Sequence, residues 1–336
     1  MIDLFAKKYN LPPFRLKQFN LAFFKDLISS YDELTTWSKE MREALKIAIP
    51  FSTILPIKNV KSLNGGTEKV LFKRTSDNKL FESVLMRHND GRNTVCVSCM
   101  IGCPLGCRFC ATGKMKFVGN LTAREIIDQV LYFARILKQQ NQSVTNIVFM
   151  GMGEPLLNFD NVMKAIEILN NPEFLGFGIR RITISTSGIT PQIKELIKRG
   201  YKGRLALSLH APNQNLRETL MPIAKKYSLP ELIASVKAFA VRTQLRVSYE
   251  YILIDQINDL PEHAHSLVEL LGKTDPDFVH INLIPYNPVK GETYKRSSSK
   301  SIYSFADILT ENGVSNTIRV TMGDDIKAAC GQLAGE

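Results

Sequence analysis

Residues 96–113 read C-V-S-C-M-I-G-C-P-L-G-C-R-F-C-A-T-G and hold five of the chain's six cysteines. Cys103, Cys107 and Cys110 stand as C-x3-C-x2-C in a loop broken by Gly102, Pro104 and Gly106. The run from Asn93 to Val97 leads in with Val and Thr and reads as a strand. A helix start follows at Thr122 and Glu125, a T-x-x-E capping box. Three thiolates on one short loop can hold three irons of a cubic [4Fe–4S] cluster. The fourth iron is then left free for a chelating substrate, whereas ferredoxin runs supply four cysteines. A zinc ribbon would use two C-x2-C pairs about 15–20 residues apart, and Cys96-x2-Cys99 and Cys107-x2-Cys110 stand far closer. A disulfide framework suits small secreted chains; this one has 336 residues.

From that strand onward the pattern alternates. Strand-like runs are N-T-V-C-V, T-N-I-V-F-M, R-I-T-I-S-T, R-L-A-L-S-L, L-R-V-S-Y-E-Y-I-L and F-V-H-I-N-L-I. Helical runs lie between them, behind Thr122 and at about 160–170, 190–199, 229–242 and 261–272, and a last helix, S-I-Y-S-F-A-D-I-L, precedes a short run T-I-R-V-T-M. Strands that alternate with helices imply a parallel sheet with right-handed crossovers. Six units are too few for an eight-stranded barrel, so the expected α/β fold is a partial (β/α)6 barrel. Residues 1–50 predict a small helical unit in which Trp37 and the Phe residues form the core. Pro50 and Pro56 end it. K-V-L-F-K-R-T and L-F-E-S-V-L-M predict a short strand pair. The expected organisation is therefore an N-terminal helical accessory domain (1–57), a small β extension (58–88), a core domain (89–329) and a tail (330–336).

In parallel α/β folds, sites gather at the C-terminal ends of strands. The cysteine loop follows the first strand. G-M-G-E-P, with Gly151, Gly153 and Glu154, follows the second. Ser185 ends the third, Ser208, Leu209 and His210 end the fourth, and Asn287 follows the sixth. Singly, Gly153 reads as a turn residue and His210 as a structural histidine. Together on one rim, these loops read as one shared site.

The formal net charge of +11 favours a polyanionic partner. No apolar run reaches the roughly 18 residues of a membrane helix, and the N-terminus lacks a signal-peptide shape. A cytoplasmic location is expected, and the reduced cysteines agree with it.

The C-x3-C-x2-C spacing, with R-F in its last gap, resembles the radical S-adenosylmethionine (SAM) superfamily. There the open iron chelates the amino and carboxylate groups of SAM. Seven segments go further: the cysteine stretch, N-L-T-A-R-E-I-I-D-Q-V, F-M-G-M-G-E-P-L-L-N, I-S-T-S-G-I, L-S-L-H-A-P-N, L-I-P-Y-N-P and A-A-C-G-Q-L-A-G. In order and spacing they resemble the RlmN/Cfr family across nearly the whole chain. The resemblance implies methylation of an adenine ring carbon in 23S rRNA: carbon 2, with tRNA beside the anticodon as a second substrate, or carbon 8 for a Cfr-type enzyme. It implies a [4Fe–4S] cluster on Cys103, Cys107 and Cys110. It implies SAM contacts from Gly153, Glu154, Ser185, Ser208, Leu209, His210 and Asn287. Cys330 would carry the methyl group, Cys96 would resolve the RNA adduct by forming a disulfide, and Glu82 would accept the ring proton. The expected partners are 23S rRNA, tRNA and an electron donor such as flavodoxin or ferredoxin, with the chain monomeric. Cys99 stands where relatives often carry Ser, and Met322 where RlmN often has Arg. Two rival readings are a non-enzymatic iron–sulfur RNA-binding protein and a radical SAM enzyme acting on a small molecule.

Overall fold

Chain order and spatial order coincide in the main sheet. The computed structural model describes residues 2–272, 274–289 and 291–335. Its ten-stranded sheet consists of β1 (Ile54–Lys61), β2 (Thr67–Arg74), β3 (Leu80–Arg87), β4 (Asn93–Cys96), β5 (Asn146–Phe149), β6 (Ile182–Thr186), β7 (Arg204–Ser208), β8 (Val247–Leu253), β9 (Val279–Pro285) and β10 (Asn316–Ile318). Strands β1 to β4 pair antiparallel. From β4 to β10 every pairing is parallel. Because each crossover steps in the same direction and is right-handed, the helices collect on one face. The other face curls inward as a partial barrel.

All six strands expected for the barrel are present, and the stretch T-I-R-V-T-M contributes a seventh parallel strand, β10. Two expectations need correction. The strand pair of the β extension is three strands, because Ile54–Lys61 adds β1. The division at 57/58 falls inside that strand, and β3 pairs with β4, so the extension continues the barrel sheet. The reason is a sequence effect: β1 shows little alternation, with most of its residues exposed, so periodicity does not reveal it.

Three N-terminal helices, α1 (Ile2–Lys8), α2 (Pro13–Asn20) and α3 (Lys39–Ala48), surround an aromatic core. Trp37 is buried and stacks on Phe5, with ring centroids 6.2 Å apart. This unit docks on α4 (Ala123–Gln139). Arg135 donates to Ile28 O at 2.8 Å and lies 4.9 Å from the Phe51 ring. Asp128 accepts from the Thr53 hydroxyl at 2.7 Å.

The α4 N-terminus forms as its sequence dictates. Thr122 Oγ1 accepts from Glu125 N at 3.3 Å, and Glu125 Oε2 accepts from Thr122 N at 2.7 Å. Its apolar stripe, including Ile126, Val130, Phe133 and Leu137, is buried. Thr122→Ala is expected to lower stability by about 1 kcal/mol, measured by chemical denaturation, and to leave the cysteine loop intact. The remaining sheet helices are α5 (Phe159–Asn170), α6 (Thr190–Lys198), α7 (Gln214–Leu220), α8 (Leu229–Thr243), α9 (Pro261–Leu271) and α10 (Ser299–Glu311). The short helix α7 is the one the periodicity does not reveal.

Candidate active site

Side chains two apart on a strand share a face, and this rule builds the lumen. Thr94 and Cys96, Asn146 and Val148, Arg204 and Ala206, Ser248 and Glu250, and Asn282 and Ile284 line one cavity of about 270 Å³. Its upper end is closed by Met150, Gly151, Cys110, Asn287 and Cys330. Three cysteines distant in sequence thus face one space.

Cys103, Cys107 and Cys110 are each partly accessible in a loop that packs on α7. Arg108 N donates to Leu220 O at 3.0 Å, and the Phe109 ring meets His210 edge-on at 4.7 Å. Phe109, Leu220, Met221, Ile252, Ile254 and Tyr286 form an apolar patch beneath the loop. Burial pushes the Cys103 thiol up to about 12 and Cys107 well above the ordinary thiol. Iron binding must release those protons. Among the described residues no three His, Cys, Asp or Glu side chains converge as a single-ion site does. A cubane binds each cysteine at a different iron and needs no such convergence. Below the loop lies a guanidinium without a counter-ion, Arg217, whose Nη1 is buried without a partner. Three thiols over an apolar floor, beside an unpaired cation, fit an anionic cluster.

The tail crosses the mouth of the cavity and is pinned along its length. Asn287 Nδ2 donates to Cys330 O at 3.2 Å, and Ala111 N donates to Gly331 O at 2.7 Å. The Thr112 hydroxyl donates to Leu333 O at 2.7 Å. Glu82 Oε2 accepts from Ala334 N at 2.8 Å and from Gly335 N at 3.0 Å. Lys69 Nζ lies 2.8 Å from Glu82 Oε1 as an ion pair, off the hydrogen-bond direction. Gly331 takes φ +84°, where a side chain would be strained. Cys330 is an exposed residue on the cavity wall, yet its thiol is desolvated by the protein around it, which raises its pKa, with Glu250 the next contributor. Burial also raises the Cys96 thiol, with Cys330 the next contributor. All six cysteines are free.

Several residues expected to contact SAM have other partners here. Glu154 is 3% exposed, with Oε2 accepting from Ser187 N at 2.8 Å and from the Ser187 hydroxyl at 2.7 Å. Its Oε1 accepts from Leu156 N at 3.0 Å. Burial raises its carboxyl, and the Ser187 hydrogen bonds oppose the rise. Oε1, with one hydrogen bond, retains a lone pair for an ammonium. Gly151 and Gly153 are needed because the cysteine strand runs close: a Cβ would lie 2.7 Å from Ser98 Oγ and 2.5 Å from Met100 Cβ. Asn287 is engaged twice, donating to the Cys330 carbonyl and accepting from Arg296 Nη2 at 2.8 Å. His210 Nδ1 accepts from Ile252 N at 3.1 Å, and burial pushes its pKa down to about 3, so the ring is neutral. Leu209 is fully buried. Ser185 shares the inward face of β6 with the lining residue Thr183, and Ser208 that of β7 with Ala206.

Sequence reasoning missed Glu250 and Arg217. Glu250 lines the cavity, accepts from Asn282 Nδ2 at 2.8 Å and adds to the shift at Cys330. Its signal was a carboxylate at an inward position of β8. Arg217 gave none, because it lies on the unforeseen helix α7.

The barrel, its three-thiol loop and the cavity define a radical SAM enzyme. Residues 97–271 match the family model described as the radical SAM superfamily. The chain is similar to the probable dual-specificity RNA methyltransferase RlmN 2 of Protochlamydia amoebophila: 41% identical over 98% of this chain and 90% of that protein. It is 41% identical to the ribosomal RNA large subunit methyltransferase N of Nitrosopumilus maritimus, covering 95% of this chain and 92% of that protein. A crystal structure of a radical SAM methyltransferase from Sphaerobacter thermophilus superposes with a TM-score of 0.96 at 40% identity, covering 100% of this chain and 97% of that one. The chain belongs to the RlmN family. It is a SAM-dependent methyltransferase that uses a [4Fe–4S] cluster.

Proposed function

We propose that this radical SAM RNA methyltransferase modifies carbon 2 of an adenine in the 23S rRNA peptidyl transferase centre, and of the adenosine 3′ to the anticodon in tRNA. Cys330 is the methyl carrier and Cys96 the resolving thiol. The observation that carries this reading is that Cys96 and Cys330 line one cavity with Cys110 of the cysteine loop. The relatives are a dual-specificity RNA methyltransferase and a large-subunit rRNA methyltransferase by name, which supports these substrates. The net charge of +11 supports a polyanion.

Cys103, Cys107 and Cys110 would hold the cluster, which would supply the electron for reductive cleavage of SAM. The Gly153–Glu154 loop, Ser185, Ser208, Leu209, His210 and Asn287 frame the SAM site, with Glu154 facing the ammonium. The Cys330 thiolate first takes a methyl group from one SAM by displacement. Hydrogen abstraction from that S-methyl group then gives the carbon that bonds to the adenine. The detour is needed because an amidine carbon is electrophilic and cannot attack a SAM methyl as a thiolate does. The RNA adduct is an odd-electron species; it gives back the single electron spent on SAM cleavage as Glu82 accepts the ring proton. The tail is bonded to Glu82 at Ala334 and Gly335, so proton transfer and local movement of the tail end are coupled. The Cys96 thiolate then attacks the Cys330 sulfur. The carbon–sulfur bond breaks with its electron pair on the departing carbon, which takes up a proton to become the methyl group. An external thiol reductant reopens the Cys96–Cys330 disulfide before the next turnover.

The N-terminal helical unit, which ends before β1, contacts RNA beside the continuous ten-stranded sheet and its tail. The enzyme acts as a cytoplasmic monomer and receives electrons from a flavodoxin- or ferredoxin-type protein.

Incubation of the reduced enzyme with methyl-labelled SAM and RNA, followed by nucleoside mass spectrometry, is expected to give 2-methyladenosine and 5′-deoxyadenosine. An 8-methyladenosine product would make it a Cfr-type enzyme, and absence of 5′-deoxyadenosine would leave only an RNA-binding protein. RNA affinity is expected to fall with salt, because phosphate contacts release counterions. Lys114 is ion-paired to Glu292 at 2.8 Å, whereas Lys116 is exposed. Lys116→Ala is expected to flatten the log–log salt slope by about 0.7–0.9 if that lysine meets one phosphate, as filter binding would measure.

A further inference from the structure

Arg217 is the largest fully buried side chain of the molecule, with 0% exposure. Its Nε donates to Leu209 O at 3.2 Å, and its Nη2 donates to Ser187 O at 2.6 Å and Ser208 O at 3.1 Å. These carbonyls sit just past the ends of β6 and β7. Nη1 has no partner, so two of the five guanidinium N–H groups are unmet. Among the described residues no carboxylate forms an ion pair with it: every salt bridge of the molecule uses other cations. An uncompensated buried charge is strongly unfavourable, and a buried donor without an acceptor adds to the penalty. Such a group is retained where a ligand supplies the missing anion.

The position of Arg217 says which anion. It lies on α7, whose last residue, Leu220, accepts from the amide of Arg108, between Cys107 and Cys110. The His210 ring beside it, also buried, packs edge-on against Phe109 of the same loop. Burial lowers the Arg217 pKa to about 10, and Cys107 is the ionisable side chain that opposes the fall. A cubane core bound by three thiolates is a net anion, and it becomes more negative on reduction.

We propose that Arg217 is the counter-ion of the [4Fe–4S] cluster, with its free Nη1 donating to the Cys107 sulfur or an adjacent bridging sulfide, and that it raises the reduction potential of the cluster. Charge and hydrogen bonds to sulfur are among the main determinants of iron–sulfur potentials. Arg217 is a positioning and tuning residue that does not touch RNA. The inference rests on the assignment of the cluster to Cys103, Cys107 and Cys110.

Three measurements test it on the reconstituted full chain. In SAM-free redox titration followed by electron paramagnetic resonance, Arg217→Gln is expected to leave about tenfold less reduced cluster at a fixed potential. That corresponds to a negative shift of about 59 mV for a one-electron couple. Arg217→Lys, which keeps the charge, is expected to stay near the wild-type value. A merely structural arginine would lower the melting temperature of both apo and holo protein and leave the potential unmoved. Unchanged potential in a fully loaded Arg217→Gln protein overturns the proposal. So does a change confined to SAM affinity, which would assign Nη1 to the SAM carboxylate.

The third measurement needs no folded variant at Arg217. Protein carrying guanidino-15N arginine and Arg108→Lys is expected to show a 15N hyperfine coupling to the reduced cluster, and its absence refutes the proposal. If the wild-type chain instead binds no iron, the ligand assignment has failed, and that result is distinct from all of these.

Discussion

Cys330→Ala is expected to assemble its cluster and bind SAM, yet to transfer no methyl group, because the one-carbon unit has no carrier. Cys96→Ala is expected to load the methyl group, cleave SAM and add to RNA, then stall with the RNA covalently bound through Cys330. The two thiols face one cavity, so the resolving attack needs only local motion of a tail held by backbone hydrogen bonds. Cys99 is a poor substitute. It is 2% exposed, its Sγ lies 3.7 Å from Met152 O, and it does not line the cavity. Denaturing gels are therefore expected to show the same trapped complex for Cys96→Ala and for Cys96→Ala/Cys99→Ala, and none for Cys330→Ala. If neither Cys96 variant traps RNA, the carrier-and-resolver scheme is wrong for this chain, even with radical SAM cleavage intact.

Replacing Cys103, Cys107 or Cys110 with Ala is expected to abolish the brown iron–sulfur absorbance and all methyl transfer. Each thiol serves one iron, so no neighbour can fill its place. Cys99 is too deeply buried to take over. Iron analysis after anaerobic reconstitution reads the outcome, and full occupancy in all three variants would sink the ligand assignment. The apo proteins are expected to remain folded. The loop is held by backbone contacts such as Arg108 N to Leu220 O and Cys110 N to Cys107 O, which the substitutions spare.

Much of the fold was legible because the barrel obeys local rules. Six strand runs and the α4 capping box follow from short-range periodicity and capping chemistry. Strand β1 was not legible, because both of its faces are largely exposed. Nor was α7, whose seven residues are too short for a periodic signal. The cysteine triad was legible because its three residues are close in sequence. Glu250 and Arg217 were not, because each matters through neighbours that only the folded chain supplies.

By itself the sequence determined the alternating βα pattern, the three-thiol loop and the set of residues on the upper rim. These depend on residue type and on spacings of a few positions. Only the tertiary structure decided how those residues are used. Parallel pairing in chain order sends every helix to one face and leaves β4 to β9 to wrap a lumen. That wrap brings Cys96 and Cys330, 234 positions apart, to one cavity. It sets Glu82 under the tail amides of Ala334 and Gly335 and turns Asn287 to the Cys330 carbonyl. It also seals Arg217 beneath the cysteine loop without a carboxylate. Burial and hydrogen-bond partnership belong to the surroundings of a side chain, and those exist only after the sheet has closed around it.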